Sequence, residues 1–243
     1  MSNSNSNSVS VIQHVVALVD RSGSMAGKED DTIGGINTTF DELKNDPTPD
    51  IDVKVSIKLF DHEEKMLIKE MDLDKVKPIT RDQYYPRGQT ALYDAIGNTL
   101  EHFIQKKIDN NNAYKLCSVY VVTDGYENSS KDYNQKTIKQ MIENAEKYYD
   151  IKLFYLAANQ DAILSASAIG INQNQALDYC ETSDNVQSAF RSMGASAKRH
   201  ASGTHVGFTQ VERSASYAPS SPRPSLQNSS PPRLRRQPKL ARR

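Results

Sequence analysis

The sequence predicts an α/β fold: a doubly wound, mostly parallel sheet of about six strands, with helices on both faces and one antiparallel strand at an edge. Three observations carry this. Near-continuous apolar runs of strand length stand at 15–19 (VVALV), 116–122 (LCSVYVV) and 151–158 (IKLFYLAA), the pattern of strands covered on both faces. Amphipathic helical spacing fills the intervals between strands. One alternating segment, 53–60 (VKVSIKLF), is followed after a short connection by 65–71 (KMLIKEM), which reads as a hairpin.

In chain order, the run ending at Val19 is the first strand. Ile33, Ile36, Phe40 and Leu43 then share one face of a helix, as residues three and four apart do. The hairpin follows, its second arm supplying the antiparallel edge strand. Leu92, Ile96, Leu100 and Phe103 mark the next helix, and 116–122 returns to the sheet. Ile138, Met141, Ile142 and Ala145 form a third amphipathic face before strand 151–158. A shorter run, 175–180 (QALDYC), makes a last strand, and Val186, Phe190, Met193 and Ala197 a last helix.

The chain of 243 residues, 37% hydrophobic with a mean hydropathy of -0.66, is long enough to bury a sizeable core. The polar ends explain the low hydropathy. The first ten residues open with MSNSNSNS, a low-complexity run expected to be disordered. The folded domain is expected over 11–205, and 206–243 reads as a disordered tail rich in Ser, Pro and Arg. From Arg213 onward there are eight Lys or Arg and no acid, so a net charge of zero conceals a basic tail on an acidic domain. No stretch approaches the ~18 apolar residues of a membrane span, and the N-terminus lacks a signal peptide's apolar core. Cys117 and Cys180 lie in apolar runs and are expected to be buried free thiols, which points to an intracellular, cytoplasmic setting. The tail segment RLRRQPKLARR fits nuclear targeting or polyanion and nucleic-acid contact, and equally a solubilising tail that visits its own acidic domain.

In doubly wound sheets ligands bind beyond the carboxyl ends of the strands, where the winding reverses. The first strand ends in Asp20-Arg21-Ser22-Gly23-Ser24, strand 116–122 ends in Thr123-Asp124-Gly125, and Thr90 immediately precedes a helix. Each has an ordinary reading as a helix cap or turn. Taken together, two carboxylates and three hydroxyls on one sheet edge form an all-oxygen set suited to Mg²⁺ or Mn²⁺. With no His or Cys among them, zinc and copper are disfavoured.

DRSGSM resembles the D-x-S-x-S signature of the von Willebrand factor A (VWA) domain, and Thr90 in RGQTALYDAI and Asp124 in VVTDG stand in the family's order. The resemblance spans about 190 residues. It implies a metal-ion-dependent adhesion site in which Ser22 and Ser24 coordinate directly, Asp20 and Asp124 act largely through waters, and Thr90 joins with loop state. The loop reads RGQT where many relatives carry a glycine pair. An ion so held stays under-neutralised, and an acidic side chain of a partner protein completes its shell. The resemblance implies a binding module rather than an enzyme, with ATPase machines or stress-response assemblies as the partner class.

Other chemistries fare worse. A phosphate loop requires G-x-x-x-x-G-K-[ST], whereas Gly23 to Gly27-Lys28-Glu29 is one residue short and ends in an acid. An aspartyl-phosphate hydrolase using Asp20 remains as an alternative, although such chemistry normally adds a second Asp where Ser22 stands. Glu29, Asp30 and Asp31 favour the start of a helix through its dipole. The five histidines show no ligand spacing.

Overall fold

The computed structural model describes residues 11–45, 47–109, 116–158 and 162–217. Six strands form one sheet in the order β3-β2-β1-β4-β5-β6. They are β1 (Val11–Asp20), β2 (Ile51–Phe60), β3 (Glu64–Asp72), β4 (Leu116–Thr123), β5 (Ile151–Ala158) and β6 (Ala176–Tyr179). All neighbours pair in parallel except β2 and β3, whose hairpin places β3 antiparallel at one edge. The expected fold class is the observed one.

The helices are α1 (Glu29–Lys44), α2 (Leu92–Asp109), α3 (Gln135–Tyr149), α4 (Ala162–Ala168), α5 (Ser183–Ser202) and α6 (Gln210–Tyr217). Strand alternation divides the core into two layers. Val15, Ala17 and Val19 of β1 face α1 and α5, packing with Ile36, Phe40, Phe190 and Met193. Val16 and Leu18 face the opposite layer, with Ile96, Leu100, Ile138 and Ile142 of α2 and α3. The α1–α5 pair packs closely because small residues line the seam: a Cβ on Gly35 would fall 2.3 Å from Phe190 Cδ2. A side chain there would force the helices apart, a cost of about 1–3 kcal/mol or more.

The domain continues beyond the boundary expected at 205. Phe208 is buried, and α6 covers the β6 edge, where Cys180 N–H donates to Ser216 O at 3.1 Å. Arg199 grips Glu212 with two hydrogen bonds of 2.9 and 2.8 Å. Arg213, counted above with the basic tail, donates to Ala176 O at 2.6 Å and to Gln173 O at 3.0 Å. Short polar sequence concealed this helix, because polar contacts hold it: Arg213 to the Gln173 and Ala176 carbonyls, and Glu212 to Arg199. The N-terminal ten residues and the tail from 218 onward lie outside the described residues. Of the cysteines, Cys117 is buried and Cys180 only partly so; both are free thiols. Among the described residues no helix is long and apolar enough to cross a membrane.

Candidate metal centre

Winding reverses at β1, which lies between β2 and β4. A crevice therefore opens at the carboxyl ends of β1 and β4, and there the structure brings together Asp20, Ser22, Ser24, Thr90 and Asp124. The focus is Gly125. A Cβ built there would lie 3.1 Å from Ser24 Oγ, 3.1 Å from Thr90 Oγ1 and 3.5 Å from Asp20 Oδ2. Three oxygens, two from the segment that ends β1 and one from the segment before α2, thus surround a point that glycine leaves without a side chain.

Asp20 ends β1 fully buried. Its Oδ1 accepts from Ser22 N–H at 2.6 Å and its Oδ2 from Thr123 Oγ1 at 2.6 Å. Burial pushes its carboxyl above the usual range, while the hydrogen bonds from Thr123 and Ser22 oppose that rise. The Asp20 carbonyl accepts from the buried Tyr84 hydroxyl at 2.7 Å. The carboxylate is therefore rigid, and no side-chain cation pairs with it among the described residues.

Ser24 Oγ donates to Asp124 Oδ1 at 2.6 Å and lies 3.0 Å from Ser22 Oγ. A hydroxyl has one proton, so with Ser24's committed to Asp124, Ser22 is the donor to Ser24. Both serine protons are thereby used within the crevice, leaving oxygen lone pairs for a cation. This is a fit for a hard divalent ion, whose ligands are oxygen acceptors.

The loops are fastened to one another. Gly23 N–H donates to Gly88 O at 3.1 Å, and Arg87 N–H to Arg21 O at 2.7 Å. Thr90 N–H donates to Asn128 Oδ1 at 2.9 Å, and Asn128 N–H returns to Thr90 O at 3.0 Å. Glu127 accepts from Tyr93 N–H at 2.9 Å at the start of α2. The RGQT loop presents the Thr90 hydroxyl to the crevice, 3.1 Å from the position that a Cβ on Gly125 would take.

Several participants carried no sequence signal of their role. Thr123 fixes Asp20 from the neighbouring strand, and Asn128 clamps Thr90. Lys28, visible in sequence only as the lysine of a failed phosphate loop, places its ammonium between Asp124 Oδ2 and Glu181 Oε1. Burial works to lower its pKa, but its contacts with Asp124 and Glu181 outweigh this and the net shift is upward.

A second acidic group lies at the β2–β3 turn, where ligand atoms of Asp61, His62 and Glu63 fall within 4.8 Å of one another. Its charge is already answered by protein. Asp61 Oδ2 is 3.0 Å from Arg21 Nε and 2.9 Å from Arg87 Nε, and Arg87 also pairs with Glu63.

No protein-family profile and no characterised protein matches the chain by sequence. Solved structures match its fold. The pilus adhesin SpaC from Lactobacillus rhamnosus GG superposes with a TM-score of 0.56 at 12% identity, covering 79% of this chain and 31% of that one. Proximal thread matrix protein 1 from the mussel byssus gives 0.54 at 15% identity, covering 78% and 47%. VWA2, an ArnB paralog from Sulfolobus acidocaldarius, gives 0.49 at 15% identity, covering 75% and 45%. The chain spans less than half the length of each of these three, and the likeness to the adhesin and the thread matrix protein is one of fold.

Proposed function

We propose that this domain is a VWA-type interaction module that holds Mg²⁺ or Mn²⁺ at the β1/β4 crevice and binds a partner protein through an acidic side chain. The observation that carries this reading is the convergence of Ser24 Oγ, Thr90 Oγ1 and Asp20 Oδ2 on the point where Gly125 lacks a Cβ. Ser22, Ser24 and Thr90 would hold the ion through hydroxyls, with Asp20 and Asp124 behind them. The ion supplies Lewis acidity and a bridge to an external carboxylate. With hydroxyls in direct contact and the carboxylates set back, much of its charge remains for that ligand. Partners of this kind include components of ATPase machines or stress-response assemblies, the class that the VWA resemblance suggests.

The phosphohydrolase reading loses support at Asp20. Both its oxygens accept short hydrogen bonds and it is fully buried, which blunts a nucleophile. A polyanion-binding role for the basic tail concerns residues outside those described, and predicts affinity that survives EDTA. The test is affinity capture of partners with Mg²⁺, with EDTA, and with Asp20→Ala. The reading expects partners only with Mg²⁺ and intact Asp20. Equal retention in all three arms would contradict it.

A further inference from the structure

Lys28 is the one cation in contact with the candidate ligand set among the described residues. Its ammonium sits on Asp124 Oδ2, while Asp124 Oδ1 accepts from Ser24 Oγ at 2.6 Å. The Asp124 side chain is only 3% exposed, so solvent competes little for either oxygen. Glu181, from the segment between β6 and α5, holds the same ammonium from the other side. The Lys28 side chain is 28% exposed and is therefore anchored rather than free in water.

This arrangement has two electrostatic consequences. A carboxylate with both oxygens engaged cannot swing into direct contact with an ion at the Gly125 crevice without abandoning Lys28. The ammonium also cancels one of the two negative charges, Asp20 and Asp124, that face the ion. We propose that Lys28 is a positioning residue that holds Asp124 off the bound metal and acts as a tethered counter-cation, weakening metal affinity and preserving the ion's charge for an external carboxylate. Glu181 tunes the device by sharing the ammonium. The inference rests on the metal-dependent reading above and concerns how that site divides its binding strength between ion and ligand.

The chemistry recognised follows. With Asp124 restrained, a bound ion would keep more of its charge for an anionic oxygen, so a carboxylate would be favoured over neutral donors. Replacement of Lys28 by an uncharged side chain removes repulsion between a unit charge and a divalent ion a few Å apart. Even at water-like screening this is worth about tenfold in affinity.

The experiment is a titration of the full chain with Mn²⁺, monitored by electron paramagnetic resonance and by water-proton relaxation. The variants are Lys28→Met, Lys28→Arg, Glu181→Gln and Asp20→Asn, with Asp20→Asn also combined with Lys28→Met. Lys28→Met is expected to bind Mn²⁺ about tenfold more tightly, with reduced relaxation enhancement as Asp124 displaces a water. Lys28→Arg is expected to restore the wild-type affinity, and Glu181→Gln to weaken it. Asp20→Asn should abolish binding in both backgrounds, which ties the gain to this crevice. A purely structural lysine predicts unchanged or weaker binding in Lys28→Met, and that result overturns the inference while leaving Asp20-dependent wild-type binding intact. Should Lys28→Met fail to fold, Glu181→Gln decides: unchanged or tighter binding there rejects the proposal. Absence of saturable binding in wild type and Lys28→Met alike would sink the metal reading and this inference together.

Discussion

Asp20 and Asp61 are near twins in the fold with opposite surroundings. Asp20 ends β1, Asp61 follows the end of the adjacent β2, and both are fully buried. Asp61 lies against Arg21 and Arg87, at 3.0 and 2.9 Å. Asp20 receives only neutral donors, Ser22 N–H and Thr123 Oγ1. A buried carboxylate with its own guanidinium groups is a structural ion pair that ties the first two loops together. A buried carboxylate without one carries a desolvation cost that an external cation can offset. Acidic clustering alone does not separate the two, since among the described residues Asp61, His62 and Glu63 form a ligand-like grouping within 4.8 Å and Asp20 belongs to none. What separates them is the cation the protein has already supplied. Asp124 stands between these cases, with one lysine.

The largest expected effect breaks the Asp61 side of this comparison. Asp61→Asn leaves Arg21, which is 2% exposed, with its charge uncompensated and should cost about 3–5 kcal/mol of stability. Asp20→Asn in metal-free protein should cost no more than about 1 kcal/mol, because a hydrogen bond is exchanged for relief of a buried charge. Urea unfolding in EDTA measures both. Equal losses would remove the distinction.

An acid titration sharpens the contrast, once a third buried group is accounted for. Burial lowers the pKa of His14 to about 3. Its folded value lies below the unfolded one, so stability is lost as pH falls from about 6.5 toward 3, by about 2 kcal/mol between pH 6.5 and 5. Asp20 acts in the opposite sense: its raised pKa favours the protonated folded state, so metal-free stability from this group is lost as pH rises. His14→Gln should flatten the acid limb of unfolding curves, and Asp20→Asn should steepen it. An unaltered slope in His14→Gln would refute the assignment to His14.

A small effect on stability is also expected at Gly125. Gly125→Ala places a methyl 3.1 Å from Ser24 Oγ and Thr90 Oγ1, a contact that a few tenths of an ångström of loop movement relieves at about 1 kcal/mol. The same methyl occupies the point on which the oxygens converge. Mn²⁺ affinity should fall about 10–100-fold, as it does when the support of a metal ligand is disturbed. Calorimetric titration alongside a melting curve tests this, and unimpaired affinity would show that the ion does not bind there.

The strand ends were legible in the sequence because apolar runs stop abruptly at Asp20 and Asp124, and a parallel sheet brings those ends to one edge. The helical faces were legible for the same reason of periodicity. The supporting contacts were not. Arg21 looks like a solvated loop residue within DRSGSM, yet its partner lies forty positions away on the next strand end. Lys28 reaches Asp124 across 96 residues and Glu181 across 153, and only the assembled crevice makes those separations short. The kink in β3 escaped as well: Glu70 adopts a φ of 48°, beside register shifts in the β2 pairing, without a glycine to announce it. Helix α6 escaped because it is held by polar contacts of Glu212 and Arg213 rather than by an apolar stripe.

The most direct test of the central claim is an anomalous difference map from crystals of the protein grown with Mn²⁺. The account predicts one peak in the crevice at Gly125, within coordination distance of Ser22, Ser24 or Thr90 hydroxyls, and absent in Asp20→Asn. A peak at Asp61, His62 and Glu63 instead, or none at the crevice under saturating Mn²⁺, would contradict it.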